Sequence, residues 1–517
     1  MTDISRQQKI VILDFGTQYA MLIARTIRQL GTYSEVVPFD TDIGEIQERD
    51  PIGVILSGGP KSVYAENAPN CDPGVFSLGV PVLGICYGMQ LLAAMLEGEV
   101  KKGKAREYGH AVLEVTGDTP LLKGLPGSTN VWMSHGDEVS VPPAGFDVYG
   151  RTDAVPCAVI GDGTKKLFGV QFHPEVSHTD KGKTVFDNFL DMCGSEREWQ
   201  VGSMLEASVQ YVREKAPKGR IICGLSGGVD SSVTAKLLSD TFPERLTCIF
   251  IDNGLLRQDE AEQVEATFSD GEYDLRVLDA RDTFLSRLRG ISDPQKKREI
   301  IGHTFIDIFE KEASSISGAA YLAQGTLYPD VIESMPAHGG PTDCIKLHHN
   351  VGGLPPDIAE RFTLIEPLRN LFKDEVRKLG SQLGLSDDIV WRHPFPGPGL
   401  AVRIIGEILP ERLRMLREAD AVFSAHLKES GLYRDIGQAF VVFLPVNTVG
   451  VMGDERSYEN VVVIRSVDTI DYMTADWTRL PYDLLQKISG DIISKVKGIN
   501  RVVYDITSKP PGTIEWE

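Results

Sequence analysis

The sequence lacks the lysine that a phosphate-binding loop usually carries. After an apolar run at residues 220–224 comes Leu225-Ser226-Gly227-Gly228-Val229-Asp230-Ser231-Ser232, and an amphipathic stretch, residues 233–238, follows. That order reads as a strand, a glycine turn and a helix start. Backbone N–H groups at such a junction point at one spot, and the helix dipole makes that spot anion-seeking. The spacing G-x-x-x-x-G-K-[ST] is missing, which argues against ordinary γ-phosphoryl transfer. Cysteine pairs are also lacking. The seven cysteines, at 71, 86, 157, 193, 223, 248 and 344, form no C-x-x-C, so a zinc ribbon is not expected. An odd, scattered set points to reduced thiols and a cytoplasmic setting. No apolar run nears the ~18 residues of a membrane span. The segment Met1–Lys9 is polar and has no signal-peptide core, and neither repeats nor low-complexity tracts are evident. Positive charge is in deficit: 73 acidic against 53 basic side chains give a net charge of −20. That argues against a nucleic-acid-coating surface, but leaves room for a local basic site that takes a small anion.

What is present is a chain of 517 residues with 42% hydrophobic content, enough for well-buried cores and about three domains of ~150 residues. Strand-like runs at residues 9–14, 53–56 and 80–85, with helical periodicity at 18–30, predict a parallel α/β sheet. The apolar pattern lapses near 193–197. A second α/β alternation starts at 221, with strands expected at 221–224, 246–251 and 275–278. His393-Pro394-Phe395-Pro396-Gly397-Pro398-Gly399 can continue neither a helix nor a central strand, and so reads as a rigid connector. Beyond it, helices at 410–427 and 482–496 with strands at 439–444, 460–467 and 501–506 predict a smaller α+β unit. The expected domains are therefore 1–197, 198–392 and 393–517.

Gly84-Ile85-Cys86-Tyr87-Gly88 places a cysteine at a strand-to-helix junction, the thiol form of a nucleophile elbow. A helix N-terminus favours thiolate, and the N–H of Tyr87 is placed to hold an oxyanion. A buried structural cysteine beside packing glycines is the bland alternative. A base is available in Gln171-Phe172-His173-Pro174-Glu175. Pro174 keeps His173 extended, so Glu175 lies on the same side and can fix the imidazole tautomer. These two motifs together resemble the class I, triad-type glutamine amidotransferases. The resemblance implies Cys86, His173 and Glu175 as the triad. It also implies Ser57-Gly58-Gly59-Pro60 as the second oxyanion-hole loop, with Gly59 and Tyr87 supplying the N–H groups. By the same resemblance Gln18 and His135 lie near the glutaminase site.

Ser226-Gly227-Gly228-Val229-Asp230-Ser231 resembles the pyrophosphate loop of N-type ATP pyrophosphatases, which adenylylate an oxygen and release pyrophosphate. Ser226, Ser231, Ser232 and the glycine N–H groups suit a leaving pyrophosphate. Asp230 suits Mg²⁺, which favours one or two carboxylates plus phosphate oxygens. A glycine-rich turn with a capping Asp or Ser is the bland alternative. Further along, residues 251–254 end a strand where adenosine lies in open α/β sheets. Another glycine turn carries Asp330, with Glu333 one helical turn on. Ile345-Lys346-Leu347-His348-His349-Asn350-Val351-Gly352-Gly353 combines Lys346, His348 and His349 with a glycine hinge, which suits a charged lid over phosphates. Zinc is the rival reading for His348 and His349, but no Cys or third His stands at ligand spacing.

These segments, with residues 392–400 and the tail Lys509-Pro510-Pro511-Gly512-Thr513-Ile514-Glu515-Trp516-Glu517, resemble the GMP synthetase family over essentially the whole chain. The resemblance implies a glutaminase domain, an ATP pyrophosphatase domain and a C-terminal dimerisation domain. It implies ATP as co-substrate with Mg²⁺, and no zinc, flavin or nicotinamide. The expected substrates are glutamine, ATP and xanthosine 5′-monophosphate (XMP), and the expected assembly is a cytoplasmic homodimer with no nucleic-acid or membrane partner. Lys373 matches a lysine near the triphosphate. Arg298, Gln438, Lys509, Ile514 and Glu515 match XMP-binding positions. Amidation of another adenylated acceptor is the rival enzyme, and a non-catalytic glutamine or nucleotide sensor is the rival from another class.

Overall fold

The computed structural model describes residues 7–17, 19–269, 273–333, 361–452, 454–469, 472 and 474–517. The chain divides into two compact units, Met1–Gln210 with Tyr328–Leu347 and Tyr211–Leu327 with His348–Glu517.

The first unit is built on a nine-stranded sheet. In spatial order its strands are Tyr33–Pro38, Lys9–Asp14, Pro51–Leu56, Val82–Ile85, Leu167–Val170, Val159–Asp162, Asp147–Arg151, Glu99–Val115 and Ser128–Val141. The first five run parallel, and each later neighbour pairs antiparallel. Ile10, Val11, Ile12 and Leu13 are all fully buried, as expected of a parallel strand covered on both faces. The helix Ala20–Gln29 stops just before Gly31. The sequence reading anticipates the parallel half and not the antiparallel extension. Its signal was present: in Ser128–Val141, Thr129, Val131, Met133 and His135 turn inward at a period of two.

The second unit carries two sheets. One is five-stranded and all parallel, in the order Asp274–Asp279, Leu246–Asp252, Arg220–Leu225, Ala319–Ala323, Thr363–Ile365. Arg220–Leu225 is central, so the loop that leaves it opens at the carboxyl edge of the sheet, where ligands of open α/β folds bind. The other sheet pairs Gln438–Met452 with Glu455–Asp468 antiparallel. The short strand Asp476–Trp477 and the parallel strand Ile499–Asp505 also pair with Glu455–Asp468. Helices Pro410–Glu429 and Tyr482–Lys495 accompany this sheet. One apolar cluster runs through both, from Ile222 and Ile249 of the parallel sheet to Val441, Phe443 and Ile464 of the other.

Candidate active sites

In the first unit, Cys86 sits between the strand Val82–Ile85 and the helix Tyr87–Met95 with φ 50 and ψ −104, a strained backbone that non-glycine residues rarely adopt. The turn is possible because both flanks are glycine. A methyl at Gly88 would stand 2.3 Å from the Leu56 carbonyl oxygen, and one at Gly84 would stand 2.6 Å from Gly88. Tyr87 is the first helical residue, so its N–H has no partner inside the helix. The loop 57–60 lies against this turn. A methyl on Gly58 would meet His173 Cε1 at 3.1 Å and Cys86 Cβ at 3.9 Å, and one on Gly59 would meet the Tyr87 ring at 3.1 Å. Ser57 fixes the loop: its hydroxyl accepts from the Phe15 N–H at 3.0 Å, and its carbonyl accepts from the Gly88 N–H at 3.1 Å.

His173 and Glu175 are both buried, and His173 Nδ1 lies 2.7 Å from Glu175 Oε1. Burial opposes a charge on this imidazole, but the Glu175 carboxylate and the neighbouring Cys86 outweigh it and push the pKa up to about 11. Two further anchors hold the segment: the His173 N–H donates to the Trp132 carbonyl at 3.0 Å, and Thr179 Oγ1 donates to the His173 carbonyl at 2.6 Å. Around Cys86 lies a pocket of ≈ 610 Å³ whose walls include Thr17, Gly59, Tyr87, His135 and His173. His135, on the antiparallel extension, is buried with Nε2 3.3 Å from Glu107 Oε2, and burial lowers its pKa. Gln18 lies outside the described residues.

In the second unit, the loop after Arg220–Leu225 is closed by its own serines. Ser226 Oγ and Ser231 Oγ are 2.9 Å apart, and Ser231 Oγ also donates to the Gly228 carbonyl at 3.1 Å. Gly227 has φ +75, a left-handed turn that suits glycine. Gly228 caps the helix Val229–Thr241, which carries Asp230, Ser231 and the buried Ser232 in its first turn. Lys373, first residue of the helix Lys373–Gln382, places its Nζ 2.8 and 2.7 Å from the two Asp230 carboxylate oxygens. An ammonium thus reaches this loop from 143 residues away, although the loop has no lysine of its own. Arg392 adds a second cation. Its Nη1 donates to the Gly227 carbonyl at 2.9 Å and to Glu260 Oε1 at 2.7 Å. Arg392 was legible only as part of the connector motif.

The third group of expected residues gathers at the tail. Glu515 Oε1 accepts from Gln438 Nε2 at 2.7 Å and from Arg403 Nη2 at 2.8 Å. Arg298 Nη2 donates to the Glu517 carbonyl at 2.5 Å, and the fully buried Lys297 pairs with the Glu517 side chain. Ile514 packs on Phe440, Val442 and Val463. Lys509 Nζ donates to the Tyr472 carbonyl at 2.6 Å, so it lies on the same tail but not on the Glu515 cluster. Sequence reasoning missed Arg403, which is fully buried and stacks over Phe440 at 4.1 Å. No pattern around it announces its partner 112 residues away. Lys346, His348 and His349 lie outside the described residues, as does the Glu333 side chain.

Three family models match the chain: "Glutamine amidotransferase class-I" over residues 11–193, "NAD synthase" over 202–283 and "GMP synthase C terminal domain" over 425–516. The GMP synthase [glutamine-hydrolyzing] of Caldanaerobacter subterraneus is 51% identical over 99% of this chain and 99% of its own. That of Campylobacter fetus is 54% identical over 98% of this chain and 99% of its own, and that of Oleidesulfovibrio alaskensis 52% over 99% and 100%. The chain belongs to the GMP synthase family. Membership in the GMP synthase family accounts for two chemically distinct sites on one chain. It also accounts for the phosphate-type loop lying in a segment that matches a synthase model rather than a kinase.

Proposed function

We propose that this chain converts XMP to GMP with ATP and glutamine, releasing AMP, pyrophosphate and glutamate. The observation that supports it best is the coexistence, in one chain that aligns with a GMP synthase over 99% of its residues, of the Cys86–His173–Glu175 arrangement and the serine-closed loop paired to Lys373. In the first site, the Cys86 sulfur attacks the side-chain amide carbon of glutamine. The Gly59 and Tyr87 N–H groups receive the oxyanion, and His173 passes a proton to the departing ammonia. Water then hydrolyses the thioester to glutamate, with Glu175 holding the imidazole in one orientation.

In the second site, O2 of XMP attacks the α-phosphorus of ATP, and pyrophosphate leaves into the loop formed by Ser226, Gly227, Gly228, Val229, Asp230, Ser231 and Ser232. Ammonia displaces AMP from the adenylylated intermediate. The urea-like carbonyl oxygen of xanthine is a poor leaving group and adenylate a good one, which is why ATP is spent. Lys373 follows the charge of the leaving group. The residues present fit Mg²⁺: Asp230 is a single carboxylate beside a phosphate-type turn, the sparse protein ligation this ion accepts. Asp230 is the residue that would hold the ion, which would there neutralise phosphate charge. We assign XMP to Arg298, Gln438, Ile514 and Glu515, with Arg298 for the 5′-phosphate and the Glu515 carboxylate for the purine edge, and give Lys509, elsewhere on the same tail, the role of a second cation for the phosphate.

We place domain limits at 1–197, 198–392 and 393–517 and the working form as a cytoplasmic homodimer. No helix among the described residues is long and apolar enough to cross a membrane. Val449, Val451 and Tyr458 lie exposed on one face of the paired strands Gln438–Met452 and Glu455–Asp468, a face suited to a second copy. The test is loss of XMP absorbance in the presence of ATP and Mg²⁺. The expected result is turnover with either glutamine or ammonia as nitrogen source. Turnover of another adenylated acceptor with XMP inert would overturn the assignment.

A further inference from the structure

We propose that Gln171 is a positioning residue for the Cys86 sulfur, presenting one amide N–H that holds the sulfur in place and favours its thiolate. This rests on the glutaminase reading above. Gln171 directly follows the strand Leu167–Val170 and is fully buried. Its main chain is pinned by its N–H, which donates to the Ala158 carbonyl at 2.9 Å. Its side-chain Nε2 lies 3.7 Å from Cys86 Sγ, within reach of a bond to sulfur.

Which end of the amide faces the sulfur follows from a chain of hydrogen bonds. The Asp137 carbonyl can only accept, so the Gln90 group 2.7 Å from it is its NH₂. The same NH₂ lies 3.3 Å from the near end of the Gln171 amide. That end must be the oxygen, because two NH₂ groups facing each other have no acceptor between them. The far end of Gln171 is therefore the donor, and it faces Cys86. A donor at sulfur stabilises S⁻ over S–H. The Ser134 carbonyl, 3.6 Å from Sγ on another side, suits the resting S–H instead. The two contacts thus act on different protonation states, and His173 supplies the counter-charge to the thiolate. Gln171 and Gln90 are both buried, so protein contacts fix the direction in which the amide points.

The experiment uses the purified full chain. Gln171→Met keeps length and removes the donor, and Gln171→Glu puts a carboxylate at the sulfur. Each is compared with the wild type and with Cys86→Ala. Three quantities are read: kcat and KM for glutamine, the ammonia-dependent rate, and the rate of Cys86 alkylation by iodoacetamide followed by peptide mapping. The expected result is a fall of about tenfold in glutamine kcat and in Cys86 alkylation, the size of one hydrogen bond to a charged group. KM for glutamine and the ammonia-dependent rate stay near wild type. Wild-type alkylation in Gln171→Met overturns the proposal. So does a defect confined to KM, or one that lowers the ammonia-dependent rate equally. If Cys86→Ala keeps its glutamine-dependent rate, the underlying glutaminase reading fails instead, a result distinct from the others.

Discussion

Residue by residue, the first site is an ion pair seeded in a buried place. His173 is held between Glu175 and Cys86 with its pKa pushed up to about 11, well above the ordinary value near 6.5. A folded-state pKa above the unfolded one contributes stability that is fully present below about 6.5 and is lost as pH rises toward 11. Glu175→Gln removes the chief source of that shift. The stability advantage of the wild type over Glu175→Gln should therefore be largest near neutral pH and shrink as pH climbs. Thermal unfolding midpoints from pH 7 to 10 measure it, and a difference that does not change with pH contradicts the account. In the second site, Asp230→Asn removes the partner of Lys373 and, on the proposed function, the carboxylate for Mg²⁺. Losing the carboxylate at the phosphate-type loop predicts a fall of about tenfold in amination with either nitrogen source. Cys86 alkylation should stay at the wild-type rate, because the substitution lies in the other unit.

At the scale of elements, much was legible because strand and helix signals alternate cleanly. The strand Lys9–Asp14 and the helix Pro410–Glu429 lie where periodicity and proline placed them. The elbow was legible for a steric reason: only glycine can flank so sharp a turn, and Gly84 and Gly88 stand there. Gly88→Ala tests this directly. Its methyl would press on the Leu56 carbonyl, so about 1–3 kcal/mol of stability should be lost. The glutamine-dependent rate should fall with it, while the ammonia-dependent rate persists. What sequence could not show were contacts that depend on closure of the fold. Gln171 was visible as one letter of a motif, but its donor to Cys86 and its tie to Gln90 exist only once three segments meet. Arg403 looks like an ordinary residue after the connector, yet it becomes the buried partner of Glu515. The antiparallel extension was missed although its period-two pattern was present, because the parallel α/β signal on either side dominated the reading.

For the whole molecule, the tail is anchored to the fold. Arg465 gathers it by donating to the Thr507 and Thr513 carbonyls at 2.5 and 3.0 Å, and Glu515 then pairs with Arg403 and Gln438. Glu515→Ala leaves the fully buried Arg403 without its carboxylate, a loss of about 3–5 kcal/mol for a broken buried pair. The variant should also bind XMP more weakly. Glu515→Gln keeps the shape and separates the two effects by comparing unfolding midpoints with KM for XMP. The central claim is a division of labour, with one site releasing ammonia and another consuming it. The most direct measurement is XMP amination by Cys86→Ala with glutamine and, separately, with ammonia. The account predicts that the glutamine-dependent rate disappears and the ammonia-dependent rate remains at the wild-type level. Loss of both rates in a variant that stays folded would contradict it.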